Sequence, residues 1–218
     1  KHRRRQRQMC IRDRNMINDI DNYSFKYLTV FIFSTENWKR SKKEISFLME
    51  LLNKFLDDTI SKIKNENIKI RFIGDLSVFN KKIQDKLHLI INETLNNTGV
   101  TVSLALNYGG RSDIISALNK ILKNNSISEI IKEHDFKKFT LNGDLPYPDL
   151  LIRTGGEKRL SNFLLWDLAY TELMFLDKMW PDFNKTTLDK CIHNFNKRVR
   201  NYGAVSYTHL TLPTTMLV

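Results

Sequence analysis

From residue 27 onward, short apolar runs alternate with longer stretches whose apolar residues recur every three or four positions. The runs have the length and β-branched content of buried strands, the longer stretches have helical period, and their alternation is that of repeated βα units around a parallel sheet. Strands are predicted at 28–33, 68–73, 101–106, 150–152 and 172–176. Between the first two, the segment SKKEISFLMELLNKFLDDTISKIK places Ile45, Leu48, Leu52, Phe55 and Ile63 along one helical face. Ser41 with Glu44 three residues later can close a capping box, which fixes where that helix begins. A second helix is predicted over 77–97, with Ile83, Leu87, Ile90 and Ile91 inward and Gly99 placed to end it. A third covers 112–123, and a last one covers 187–201, with Leu188, Cys191, Ile192 and Phe195 on one side. Residues 124–148 are polar and carry Asn142-Gly143 and two prolines, so they read as short helices and loops. The fold class is therefore α/β, a mostly parallel central sheet flanked by helices.

The two ends break this pattern. Residues 1–14, KHRRRQRQMCIRDR, have neither period, and residues 204–218 carry no formal charge. The peptides MCIRDR and SYTHLTLPTT resemble translated library adapters, so 1–14 is expected to be a non-native or disordered basic arm and 204–218 a tail of the same kind. One domain, 15–203, remains between them.

Charge and composition then narrow the function classes. The chain has 218 residues and a formal net charge of +11, but residues 1–14 alone contribute +6. A remainder of +5 is ordinary for a soluble domain and suits an enzyme of anionic substrates. Because the excess sits in the suspect arm and no binding module is recognisable, nucleic acid is not expected as a partner. Two cysteines, Cys10 and Cys191, supply neither a disulfide framework nor a zinc cluster. No stretch reaches the roughly 20 apolar residues of a membrane span, so a soluble, cytoplasmic chain is expected.

Ligands of open parallel sheets bind beyond the carboxyl ends of the strands, and there the sequence gathers chemistry. The first strand runs into Ser34-Thr35-Glu36-Asn37-Trp38, the third into NYGGRSD and the fourth into RTGGEKRLSN. In the last of these, Arg153, Arg159 and the Ser161 hydroxyl flank a Gly-Gly turn whose amides can face an anion. Arginine's planar fork matches phosphate oxygens in pairs, and glycine lets the backbone approach. A plain βα turn with surface arginines explains the same residues. NYGGR reads as a tight turn into the third helix. Glu172, set among apolar residues in AYTELMF, is costly to bury unless it pairs with a cation. A Glu–Arg pair and a Mg²⁺ site shared with substrate phosphate both meet that requirement.

Taken in order and spacing, FSTENWKR, FIGD, NYGGRSDI, DLLIRTGGEKRLSNFLLWDLAYTELMF and WPDF closely resemble the cis-prenyltransferase family, over about 27–203. The resemblance implies condensation of isopentenyl diphosphate with an allylic diphosphate, giving a long-chain polyprenyl diphosphate. It implies that Arg153, Arg159 and Ser161 hold the diphosphate of isopentenyl diphosphate and that Glu172 helps hold Mg²⁺. Asn37, with Ser34 and Trp38, would lie at the reacting centre, and Arg40 would help complete the substrate site. It further implies a homodimer that touches a membrane surface as its product leaves, hence a cytoplasmic and peripheral location.

One departure stands out. The family's first strand ends in an Asp-Gly-Asn-Gly-Arg-Trp type motif that binds Mg²⁺ and cradles the allylic diphosphate, and residues 1–26 contain no match. The first strand and its phosphate loop are accordingly expected to be missing, and the polypeptide as written to be inactive or nearly so. A non-catalytic accessory subunit of a heteromeric prenyltransferase is the alternative within the family, although such chains usually lose the Asn-Trp loop and arginines kept here. A basic nucleic-acid-binding protein is the alternative outside it.

Overall fold

The computed structural model describes residues 23, 25–63, 66–123 and 130–199. Both compositionally odd ends, and the expectations attached to them, lie outside these residues.

Five strands form, β1 (Tyr27–Ser34), β2 (Lys69–Ile73), β3 (Thr101–Tyr108), β4 (Leu150–Thr154) and β5 (Glu172–Leu176). Each is where an apolar run predicts it, longer by one or two residues at some ends and, in β2, one residue shorter at its start. Every ladder is parallel: β3 lies between β1 and β2, while β4 pairs with β5. Among the described residues the strands thus make two sheets rather than one. The helices are α1 (Lys42–Ile60), α2 (Lys81–Thr94), α3 (Gly110–Lys123), the short α4 (Glu133–Lys137) and α5 (Lys185–Asn196).

Local chemistry sets the helix starts. Ser41 and Glu44 form the expected capping box, each accepting from the other's backbone N–H at 3.3 Å. Asn80 Oδ1 accepts from Ile83 N at 3.0 Å and fixes the start of α2 at 81, four residues later than the apolar spacing suggests. The helix also ends at Thr94, before Gly99. There the Thr94 hydroxyl donates to the Ile90 carbonyl and accepts from Ile70 N, tying the helix end to β2.

Strand β3 is the spine of the core. Val102, Leu104 and Leu106 alternate onto one face and meet Leu52, Phe55 and Leu56 of α1 and Ile83, Leu87 and Ile90 of α2. Ala105 points to the other face, where Tyr108, Phe163, Leu164 and Leu168 close over it. The second layer is therefore a long irregular segment between β4 and β5, not a helix. This segment carries the residues of interest.

Candidate active site

The turn after β1 comes first, because its shape follows from one carboxamide. Asn37 Oδ1 accepts from Ser34 N at 2.9 Å, pinning residues Thr35–Lys39 into a single 3₁₀ turn. Arg40 closes the turn through its own N–H to the Asn37 carbonyl, and its side chain is exposed. Trp38 packs edge-on to Phe33, with ring centroids 5.1 Å apart, and donates its indole N–H to Asn107 Oδ1 at 2.8 Å. Ser34, Asn37, Trp38 and Arg40 are thus gathered at one strand tip.

Asn107 ties this turn to the next strand. Its amide donates to the Asp75 carbonyl at 2.9 Å, and its backbone sits at φ 48°, where asparagine is tolerated better than most residues. The Gly109–Gly110 pair follows. A Cβ on Gly109 would fall 2.6 Å from Thr35 Oγ1 and 2.8 Å from Asn162 Nδ2, so any larger residue would push those side chains aside where three loops meet. NYGGR is accordingly more than an entry to α3.

The loop after β4 supplies the cations. Arg153 Nη1 donates to Ser161 Oγ at 2.8 Å and to the Arg159 carbonyl, drawing the predicted trio into one loop. The Arg159 guanidinium pairs with Glu157, and both side chains are more than half exposed. Surface pairs of this kind contribute about 0–1 kcal/mol, so Glu157 holds the guanidinium only weakly. The Gly-Gly turn has a different role from the expected one. Gly155 N donates to the Lys178 carbonyl at 3.0 Å and Gly156 N to the Leu176 carbonyl at 2.9 Å, so neither amide faces an anion. Their φ values of 95° and 77° explain the glycines instead. The turn is sewn to the end of β5 and holds the base of the arginine loop.

Glu172 is not brought to this cluster. It opposes Leu150 in the ladder, whereas Arg153 opposes Phe175. The two residues therefore lie three positions apart, about 10 Å along the strands, and on opposite faces of the sheet. The Glu172 carboxylate accepts from the Arg198 guanidinium, which is the ion-pair reading that its burial left open. Among the described residues no group of three or more His, Cys, Asp or Glu side chains could hold a metal ion. Mg²⁺ takes one or two protein carboxylates together with substrate phosphate oxygens and water, so the lone Glu172 is compatible with it once the carboxylate exchanges Arg198 for the ion.

Three residues escaped the sequence reading: Asn107, Asn162 and Glu36. Asn162 Nδ2 donates to Glu36 Oε1 at 2.7 Å, and its Oδ1 accepts from Arg111 N at 2.9 Å. Burial pushes the Glu36 carboxyl up, but hydrogen bonds from Asn162, its own backbone, Ser34 and Thr35 outweigh it and hold the group below its ordinary range.

A parallel α/β fold whose carboxyl-end loops carry Arg153, Arg159 and Ser161 beside an asparagine-centred turn belongs to the class that binds its ligands at strand tips. Comparison with known proteins gives the family. Residues 6–203 match the family model described as putative undecaprenyl diphosphate synthase, a match that reaches into the basic first segment. An isoprenyl transferase of Neisseria gonorrhoeae is 45% identical over 192 residues, covering 88% of this chain and 77% of that protein. A ditrans,polycis-undecaprenyl-diphosphate synthase of Buchnera aphidicola, named as specific for (2E,6E)-farnesyl diphosphate, is 43% identical over 187 residues, covering 84% and 75%. The crystal structure of a probable undecaprenyl diphosphate synthase from Campylobacter jejuni superposes with a TM-score of 0.81 at 35% identity, covering 90% of this chain and 92% of that one. The chain belongs to the cis-prenyltransferase family. Its activity is that of a prenyl-chain-elongating transferase.

Proposed function

We propose that the chain condenses isopentenyl diphosphate with an allylic diphosphate, farnesyl diphosphate being the first candidate, to build a long polyprenyl diphosphate with new cis double bonds. The observation that carries this reading is the meeting of Arg153, Arg159 and Ser161 in one loop, which the Asn162–Glu36 hydrogen bond joins to the turn that holds Asn37 and Trp38. In this reading Arg153, Arg159 and Ser161 grip the diphosphate of isopentenyl diphosphate. A guanidinium has five N–H donors; Nη1 of Arg153 shapes the loop, and the remaining edge of its fork suits two phosphate oxygens. Arg40 adds a cation at the far side of the turn.

The chemistry needs little from the protein beyond positioning and charge. The allylic C–O bond breaks with its electron pair leaving on diphosphate, and the isopentenyl alkene attacks the allylic carbon. The adjacent carbon then gives up a proton to the released diphosphate, which sets the new double bond. Arginines stabilise the charge that develops on the leaving group, most strongly where water is excluded. Asn37 has its Oδ1 committed to the turn, which leaves its amide N–H groups to orient substrate, with Ser34 beside it and the Trp38 ring as an apolar wall.

Mg²⁺ belongs to this reading through the family resemblance, and Glu172 would have to exchange Arg198 for the ion to take part in holding it. Two further assignments complete the proposal. Ile115, Leu118 and Leu122 form an exposed apolar strip on α3 that suits a second copy of the chain in a homodimer. The apolar product requires transient contact with a membrane surface. Among the described residues no helix is long and apolar enough to cross one. The proposed location is the cytoplasm, peripheral to the membrane.

Incubation with farnesyl diphosphate, labelled isopentenyl diphosphate and Mg²⁺ tests the reading. Saturable binding of isopentenyl diphosphate is the expected result, with at most trace butanol-extractable label in products longer than the primer, as the sequence leads one to expect for the polypeptide as written. Absence of isopentenyl diphosphate binding would overturn it.

A further inference from the structure

One side chain sits where three strand-end loops cross, and the chemistry so far gives it no role. Asn162 follows the diphosphate-gripping segment directly. Its Oδ1 accepts from Arg111 N, a main-chain group that can only donate, so the orientation of the amide is fixed and Nδ2 must face Glu36. Its own carbonyl accepts from Gly110 N at 2.6 Å. Through a single residue the loop after β4 is therefore bonded to the start of α3 and to the turn after β1.

The backbone marks the same spot. Ser161, Asn162 and Leu164 have φ of 50°, 63° and 40°, left-handed values that serine and leucine adopt only when their surroundings impose them. Phe163 and Leu164, buried against Tyr108 and Ala105, supply that constraint from below, and Asn162 supplies it from above. Strain of this kind fixes the loop in one arrangement and leaves it little freedom to drift relative to its neighbours. The recipient is also well defined. Glu36 is the residue before Asn37, in the same 3₁₀ turn as Trp38, and three further hydrogen bonds hold its carboxylate in charged form. A hydrogen bond to a charged acceptor is directional and about twice as strong as a neutral one. A shift of the arginine loop is thus felt at the turn.

We propose that Asn162 is a positioning residue that locks the diphosphate-gripping loop to the reaction-centre turn through Glu36, so that occupancy of the arginines sets the placement of Asn37 and Trp38. The proposal rests on the functional reading above for what each loop binds. It adds that the two are coupled and names the atom pair that couples them.

The test exploits the polarity of that pair. N162D keeps the size, the tolerance of left-handed backbone and the acceptor for Arg111 N, but it sets a carboxylate against Glu36. E36Q alone keeps an acceptor for Asn162. The double variant N162D/E36Q restores a donor and an acceptor with their roles exchanged. Protein labelled with 5-fluorotryptophan, with the Trp38 resonance assigned by Trp38→Phe, is titrated with isopentenyl diphosphate and followed by ¹⁹F NMR, with calorimetry for affinity. In wild type and E36Q the Trp38 resonance moves saturably with ligand. In N162D the dissociation constant stays within threefold while the Trp38 response falls at least fivefold, and in N162D/E36Q the response returns. A Trp38 response that survives in N162D, or a double variant no better than N162D, overturns the coupling. Wild-type protein that binds isopentenyl diphosphate without any Trp38 response also overturns it. Wild-type protein that does not bind the ligand at all sinks the functional reading, and the coupling with it.

Discussion

The two halves of this molecule are held by different forces. In the half built on β1, β2 and β3, apolar side chains at helical or alternating spacing pack α1 and α2 onto the sheet, and the core residues of β3 are almost fully buried. In the half built on β4 and β5, the covering layer from 155 to 171 has no helix. It is shaped by glycines at positive φ, by strained Ser161, Asn162 and Leu164, and by hydrogen bonds between side chains and backbone. The first half gives a rigid floor. The second spends conformational strain to bring polar groups to one place, and the proposed chemistry lies there. Regular structure is a poor way to aim three loops at one ligand, because each element fixes its side chains by period rather than by target.

Substitutions can set the two halves apart. Leu104→Ala in β3, a side chain 1% exposed at the centre of the first core, should cost about 2–5 kcal/mol. Urea unfolding reads the loss, and the diphosphate affinity of the remaining folded protein should not change. Gly155→Ala tests the second half. Only the Met179 sulfur, at 3.9 Å, would neighbour the new Cβ, so space is ample and the cost is purely that of φ 95°, about 1–2 kcal/mol. A neutral result there would remove the backbone-strain explanation of the turn. Ser161→Ala should weaken isopentenyl diphosphate binding by roughly threefold to tenfold, the worth of one ordinary hydrogen bond, with little change in stability.

The smallest effect is that of pH on the Glu36 contact. Its carboxyl titrates below the ordinary range when folded, so the folded state holds fewer protons than the unfolded chain in that window. The stabilisation is complete above the unfolded pKa and is lost as pH falls through the depressed folded value. Wild type should therefore lose stability relative to E36Q as pH drops through the acid range, measured as the difference in urea midpoints. Parallel curves for the two proteins would show that Glu36 does not hold the turn.

The same contrast decides what was legible in the sequence. Period alone found all five strands and the inward faces of α1 and α2, because burial of apolar residues is written one position at a time, and the Ser41–Glu44 spacing gave the cap. The family motifs named Arg153, Arg159 and Ser161, which hydrogen bonds join in one loop. The resemblance could not show that Gly155 and Gly156 spend their amides on Lys178 and Leu176, since hydrogen bonds between a turn and a neighbouring strand end leave no spacing to read. The start of α2 was misjudged because Asn80, a capping side chain, outweighs apolar spacing at a helix end. Strand register separates Glu172 from the arginines: three residues and one change of face are invisible until the pairing of β4 with β5 is known. Asn107 and Asn162 were missed for a related reason. An asparagine bridging two loops is identified by what stands opposite it, and nothing opposite it is near in sequence.

The most direct test of the central claim is calorimetric titration of isopentenyl diphosphate into wild-type protein and into Arg153→Ala and Arg159→Ala. Hydrogen bonds to a charged group contribute about 1.5–3 kcal/mol each, so each variant should bind at least tenfold more weakly while melting close to wild type. Unchanged affinity in both variants would mean that the arginine loop does not hold the diphosphate.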